Sequence, residues 1–372
     1  MPSTDLSSLN ALTTQVLGLA FFLSVCFGAI AQRTHFCTMG ALSDVVLMGD
    51  WTRMRQWALA AGVAMLGFAW LAGTGQLDPT KTLYASTRWT WLSAALGGFL
   101  FGIGMVFASG CGNKTLVRLG GGNLKSLVVF LVMALSAFAT LRGLTAVLRL
   151  NTVDRVATEW PAGTRIPELL STALGFQAQS LTLIAGLLLG TCLVIWAIKP
   201  SNFRRFDNLL AGVGLGAIVT AMWWTSASLG YVAEHPGTLQ EAFVATNSGR
   251  SEALSFTAPL AYSLDWVLFF SDTSRVLTVG IVAVAGVVAG SCICAVASGT
   301  FRWEGFAGVE DLGFHLTGAL LMGVGGVTAL GCTVGQGLSG LSTLSLTSFT
   351  AVGAIVAGGF AALKYQSARV GV

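Results

Sequence analysis

Gly97-x4-Gly102-x-Gly104-x-Val106-x-Ala108-x-Gly110-Cys111 and Gly318-x4-Gly323-x-Gly325-x-Val327-x-Ala329-x-Gly331-Cys332 are one motif written twice, 221 residues apart. Each copy is an apolar segment dotted with glycine that gives way, at Gly-Cys, to a polar and glycine-rich turn. A cysteine repeated at the broken end of an apolar helix points to two symmetry-related thiols facing a shared pathway.

Composition sets the solvent of that helix. The chain has 372 residues, of which 54% are hydrophobic and 10% charged, with a mean hydropathy of +0.76. A soluble domain carries about 25% charged residues, so most of this surface faces lipid. Forty-seven glycines fit helices that approach closely or break inside a bilayer. The sequence pI near 8.8 reflects loop lysines and arginines, and no nucleic-acid partner is read from it. No small-residue cleavage site follows the first apolar run, which is therefore expected to be retained as a span.

A spanning helix needs about 20 mostly apolar residues. Nine stretches qualify: 13–31, 55–74, 90–109, 123–147, 178–198, 207–222, 276–297, 312–330 and 344–363. Four shorter apolar pieces, 37–48, 111–119, 224–232 and 333–341, read as re-entrant half-helices. Such pieces survive at membrane depth only where protein or a cavity covers their ends. A second correspondence supports a repeat. Gly28-Ala29-Ile30 precedes Phe36-Cys37-Thr38 as Gly216-Ala217-Ile218 precedes Trp224-Thr225-Ser226, at an offset of 188 residues. The second half has then gained about 33 residues, assigned to the polar stretch 231–275. Five spans separate the two starts, and an odd number inverts the second copy.

The expected fold is an all-α integral membrane protein. It has nine transmembrane helices plus four half-helices in a pseudo-symmetric inverted repeat. Residues 1–372 form one domain, with a first repeat at 13–147, a linking helix at 178–198 and a second repeat at 207–363. Arg33, Arg53, Arg55, Lys114, Arg118, Lys125, Lys199, Arg204, Arg205, Arg302, Lys364 and Arg369 fall on one side. The positive-inside rule makes that side cytoplasmic and puts the amino terminus outside.

Seven cysteines are present, none in a C-x2-C pair, and the three histidines form no ligand cluster. No disulfide framework, metal site or cofactor is read. Cys26, Cys192, Cys292 and Cys294 sit inside apolar runs and are expected to be small, buried hydrophobes. Cys111 and Cys332 differ, because half-helices starting there aim free N–H groups and a positive dipole end at the midplane. That arrangement favours an anion, and a thiol is a weak donor suited to guiding a soft one. Cys37 heads a third half-helix, although its repeat counterpart is Thr225. Arg33, Asn113, Lys114, Thr115, Thr333 and Gln336 are candidate secondary anion contacts, with Thr225 alongside them. Interfacial anchoring explains Arg33 and Lys114 as well. The run Gly331–Gly340 lacks the lysine and the strand of a phosphate-binding loop, so nucleotide hydrolysis is not supported.

With these residues in view, the chain resembles the YeeE/YedE family of membrane transporters, whose characterised members take up thiosulfate. The resemblance lies in GAIAQRTHFCTMGALSD (28–44), GIGMVFASGCGNKTLVRLGGGNLKSLVVF (102–130) and GVGGVTALGCTVGQGLSGLS (323–342). It implies nine spans and four short elements in an hourglass, and pathway cysteines at Cys37, Cys111 and Cys332. It further implies a bacterial inner-membrane protein, not an enzyme, that passes thiosulfate between thiols unaltered to a cytosolic sulfur carrier of the TusA type. The family often has GxCGSGT where this chain reads Gly110-Cys111-Gly112-Asn113-Lys114-Thr115. Transport of another sulfur or selenium compound, and a membrane thiol oxidoreductase, stay open as alternatives.

Overall fold

The computed structural model describes residues 6–370 and is almost wholly helical. In chain order the helices are α1 (Leu6–Thr34), α2 (Thr38–Ser43), α3 (Thr52–Gly73), α4 (Trp91–Phe107) and α5 (Gly112–Gly120). There follow α6 (Leu124–Arg142), α7 (Leu144–Asn151), α8 (Ile166–Leu174), α9 (Ala178–Ile198), α10 (Phe206–Leu209) and α11 (Leu215–Trp224). The last four are α12 (Thr257–Leu268), α13 (Val279–Ala297), α14 (Val309–Thr328) and α15 (Leu346–Val370). Wider π turns over 44–48, 210–214, 225–229 and 335–340 extend or join neighbouring helices. Eight helical segments among the described residues are long and apolar enough to cross a membrane. α14 has span length but opens on Glu310 and Asp311, and is not among the eight.

Small residues let these helices touch along their backbones. α4 packs on both α14 and α15, α1 on α13, and α3 on α9. The α4–α14 crossing joins the two copies of the repeated motif. A Cβ on Gly97 would lie 2.7 Å from the Gly325 carbonyl oxygen, and one on Gly325 would lie 2.6 Å from that of Gly97. Without a hydrophobic force between lipid-bathed helices, close van der Waals packing of this kind holds them.

Two ends of the bundle differ. At one, which we call the loop-rich end, β1 (Arg88–Trp89) pairs with β2 (Thr158–Glu159), and β3 (Tyr231–Val232) with β4 (Ala242–Phe243). Thr82 and Ser251 also pair there, as do Arg165 and Ser345. The opposite, basic end gathers the connections around His35, Arg118, Asn123 and Arg302, closed by an Asn123–Glu304 bridge.

Three expectations need correction. The stretch 224–232 is not a separate half-helix, because α10, α11 and their π turns run as one helix over Phe206–Leu229. Its backbone stays right-handed at Thr225 (φ −59°, ψ −45°), so nothing breaks it. The segment 231–275 is not only polar loop: it contains α12, whose Pro259, Leu260 and Ala261 are buried. At 12 residues α12 spans about 18 Å at 1.5 Å per residue, too short to cross. Finally, 123–147 is divided at Gly143, which has extended backbone (φ −106°, ψ −152°) between α6 and α7.

Candidate functional site

Three helix breaks share one local design. His35, Ser109 and Leu330 take left-handed backbone (φ 52°, 55° and 59°), and each stands two residues before a cysteine: Cys37, Cys111 and Cys332. In all three the next N–H closes the preceding helix by bonding back five residues. The bonds run from Phe36 to the Ala31 carbonyl (3.2 Å), from Gly110 to Met105 (2.8 Å) and from Gly331 to Gly326 (2.8 Å). These are Schellman-type ends, usually made with glycine. A non-glycine residue costs roughly 1–2 kcal/mol in that conformation, and the chain accepts it three times.

Each cysteine then opens the following short helix. The Gly40 N–H donates to Cys37 Sγ and the Gly335 N–H to Cys332 Sγ, both at 3.4 Å. Cys111 occupies the same place ahead of α5, with extended backbone (φ −81°, ψ 175°). The thiols therefore sit where free amide groups and the positive end of a helix converge. They are also dry: Cys37, Cys111 and Cys332 are 6%, 1% and 0% exposed. The other four cysteines lie on exposed or half-buried helix faces, so the expected burial does not hold for them.

The breaks meet. The Cys37 and Cys111 thiols are neighbours, Cys111 is also near the Thr333 hydroxyl, and Cys332 lies within electrostatic range of Cys111. Thr38 and Thr333 border the same small apolar gap of about 40 Å³, with Trp57 and Met105 in its wall. Trp57 Nε1 donates to Thr38 Oγ1 at 3.1 Å, fixing the first half-helix. Among the described residues, Asn113 Oδ1 and Thr333 Oγ1 are buried polar atoms without a well-formed hydrogen bond. Unsatisfied buried polar groups are costly; nine other buried atoms among the described residues, Gln56 Oε1 and Ser345 Oγ among them, share the lack.

A cavity opens toward the thiols from each end. The one at the basic end has a volume of about 430 Å³ and is lined by His35, Lys114, Thr115 and Arg118 among others. The one at the loop-rich end, about 300 Å³, is lined by Tyr84, Arg149, Glu252 and Gln336 among others. Neither cavity is lined by a cysteine: Lys114 of the first stands beside Cys37 and Cys111, and Tyr84 of the second stands near Cys332, so the thiols form what we call the waist.

The remaining sequence candidates separate. Lys114 lies beside Cys37 and Cys111, and Thr115 Oγ1 donates to the Cys111 carbonyl at 3.1 Å. Gln336 is locked: Nε2 donates to the Ala329 carbonyl and Oε1 accepts from Ser348, both at 2.6 Å. Arg33 is instead held at the surface by Asp207 (3.0 Å) and stacks over Phe206. Thr225 bonds to the Ala221 carbonyl within its continuous helix, with no helix break before it. Sequence reasoning missed Trp57, Ser348, Tyr84, whose hydroxyl donates to the Gly335 carbonyl at 2.6 Å, and Arg53, which packs over Gly40. No motif marked them, since each reaches the site from another element.

Fold and site together define a multi-pass helical membrane protein of the transport class. The chain belongs to the sulphur transport family, whose model matches residues 33–361. It is 28% identical over 317 residues to the thiosulfate transporter TsuA of Escherichia coli, covering 84% of this chain and 83% of that protein. It is 26% identical over 337 residues to the thiosulfate transporter TsuA of Spirochaeta thermophila, covering 87% and 91%. A shorter similarity, 28% over 110 residues, relates it to the probable transporter YedE of E. coli, covering 30% of this chain and 26% of that protein.

Proposed function

We propose that this protein takes up thiosulfate across the bacterial inner membrane, passing the anion along Cys332, Cys111 and Cys37 without altering it chemically. The observation that carries this reading is the waist itself: three buried thiols, each at the start of a short helix, between cavities from opposite ends. Helix N-termini favour an anion. Thiols are weak donors, so they hand on a soft terminal sulfur without trapping it. The names of the two long relatives, both thiosulfate transporters, agree with that substrate.

In this reading the chain has nine spans, α14 among them, arranged as an inverted repeat over 13–147 and 207–363 with 178–198 between. The mutual glycine contacts of α4 and α14 favour such a pseudo-twofold relation. The basic end is cytoplasmic, the amino terminus is periplasmic, and the carboxy terminus is cytoplasmic. Lys114 receives the anion below Cys37 and Cys111. A sulfur carrier of the TusA type then collects it at the basic end.

The test is uptake of labelled thiosulfate into proteoliposomes, together with growth of a thiosulfate-dependent auxotroph. Uptake by the wild type, competed by unlabelled thiosulfate more strongly than by sulfite or selenite, is the expected result. Stronger competition by selenite or sulfite assigns the pathway to that solute instead.

A further inference from the structure

Glu252 faces the cavity at the loop-rich end, and its surroundings are unusual for an acid. Its Oε1 accepts the Asn247 N–H at 3.1 Å, and its own N–H donates to Ser226 Oγ at 3.0 Å. Among the described residues no cation pairs with its carboxyl. The arginines nearby are taken: Arg149 by Asp154 at 3.2 Å, Arg88 by the Asp154 carbonyl, and Arg250 by the Thr82 and Ala85 carbonyls. Arg142 and Arg275 both reach Asp265, on α12. The other titratable neighbours are phenols. Tyr262 on α12 senses the Glu252 charge, and so does Tyr84, beyond which lies Cys332. The acid thus stands on the approach to the first thiol of the waist.

We propose that Glu252 is a selectivity residue at the mouth of the pathway, a carboxyl that admits a divalent sulfur oxyanion by hydrogen bonding when protonated and repels it when ionised. This rests on the transport reading above. Burial holds the carboxyl up at about 7, only partly opposed by the Asn247 N–H. A neutral carboxyl offers one O–H to the cavity, whereas a carboxylate only accepts and adds like charge to the anion's path. Thiosulfate keeps its two charges over this range, so any titration belongs to the protein.

The experiment holds the pH at the basic end fixed and varies the pH at the loop-rich end of reconstituted transporter, with labelled thiosulfate as probe. About nine-tenths of the carboxyls are protonated at pH 6 and about one-tenth at pH 8. If only the protonated form admits the anion, wild-type uptake falls about tenfold between them. Glu252→Gln keeps a donor but does not titrate, so its ratio of uptake at pH 6 to pH 8 stays near one. Should that variant fail to fold, Glu252→Met serves, with the same flat ratio at a lower level. His35 and His315 line the opposite cavity and are not exposed to the varied pH. A wild-type profile flat from pH 6 to 8 overturns the proposal, as does a neutral variant that keeps the wild-type slope. Absence of thiosulfate uptake by the wild type at every pH is a different failure: it removes the transport reading and this one with it.

Discussion

Gly104 and Gly318 meet backbone to backbone: a Cβ on either would lie 2.6 Å from the carbonyl oxygen of the other. Gly104 stands seven residues before Cys111 in sequence, and Gly318 fourteen before Cys332. The contact therefore sets how closely the two broken ends approach. A side chain here meets backbone, which does not swing aside, so overpacking by roughly 1–3 kcal/mol is expected. Gly104→Val and Gly318→Val should each lower the thermal midpoint in detergent. The pair together should fall short of additive loss, because one separation of α4 and α14 relieves both clashes. Gly305, beside which a Cβ would meet nothing within 4 Å, is the control site.

Substituting the thiols separates a pathway role from packing. Cys111→Ala and Cys332→Ala each remove one sulfur from a closed waist, and Cys332→Ala also leaves the Gly335 N–H without its acceptor. Loss of an N-cap acceptor costs about 1 kcal/mol, which a folded membrane protein tolerates. Protein level in the membrane should therefore persist while rescue of a thiosulfate-dependent auxotroph is lost. Cys192→Ala, on an exposed helix face, should leave both unaltered. Rescue by a Cys111→Ala, Cys332→Ala double variant would remove the thiols from the mechanism.

What the sequence made legible follows physical range. The helices were readable because each is a long local apolar run, and eight helical segments among the described residues are long and apolar enough to cross a membrane. The Gly-Cys pairs were readable because a repeat needs no knowledge of distant contacts. The half-helix expected at 224–232 shows the converse: the spacing of Thr225 matches that of Cys37, but no left-handed residue stands just before it, and the helix continues. Arg33 pairs with Asp207, 174 residues away in sequence, a partner that no local pattern announces. Glu252 gave no local sign at all. Its meaning comes from a cavity assembled by five or more chain segments, and burial by distant segments leaves no trace in periodicity.

The left-handed residues make a sharper test of the break design. Ser109 and Leu330 carry side chains in a conformation that glycine adopts freely. Ser109→Gly and Leu330→Gly should be tolerated at this backbone, with a gain of up to about 1 kcal/mol offset by the greater freedom of the unfolded chain. Ser109→Val and Leu330→Val, β-branched at positive φ, should destabilise. Thermal midpoints of the four variants in one detergent compare the two signs. If glycine and valine shift the midpoint alike at both positions, the backbone strain assigned to the breaks is not there.

Lys114 carries the last prediction. Its ammonium lies beside Cys37 and Cys111 and lines the cavity at the basic end, with Arg118 and Arg53 adding positive charge nearby. In the proposed pathway a half-buried cation at the basic end should hold the anion there, so Lys114→Met is expected to weaken apparent thiosulfate affinity about tenfold, or about 1.4 kcal/mol. Lys114→Arg keeps the charge and should lose less, though the planar guanidinium does not occupy the same point. Salt distinguishes contact from long-range attraction. The Debye length shrinks from about 10 Å at 0.1 M to about 3 Å at 1 M. A direct contact with the anion keeps most of the tenfold difference at 1 M salt, measured as initial uptake rates across thiosulfate concentrations. A difference that vanishes at 1 M makes Lys114 part of the general positive field of the basic end, shared with Arg118 and Arg302, and not a site that the anion touches.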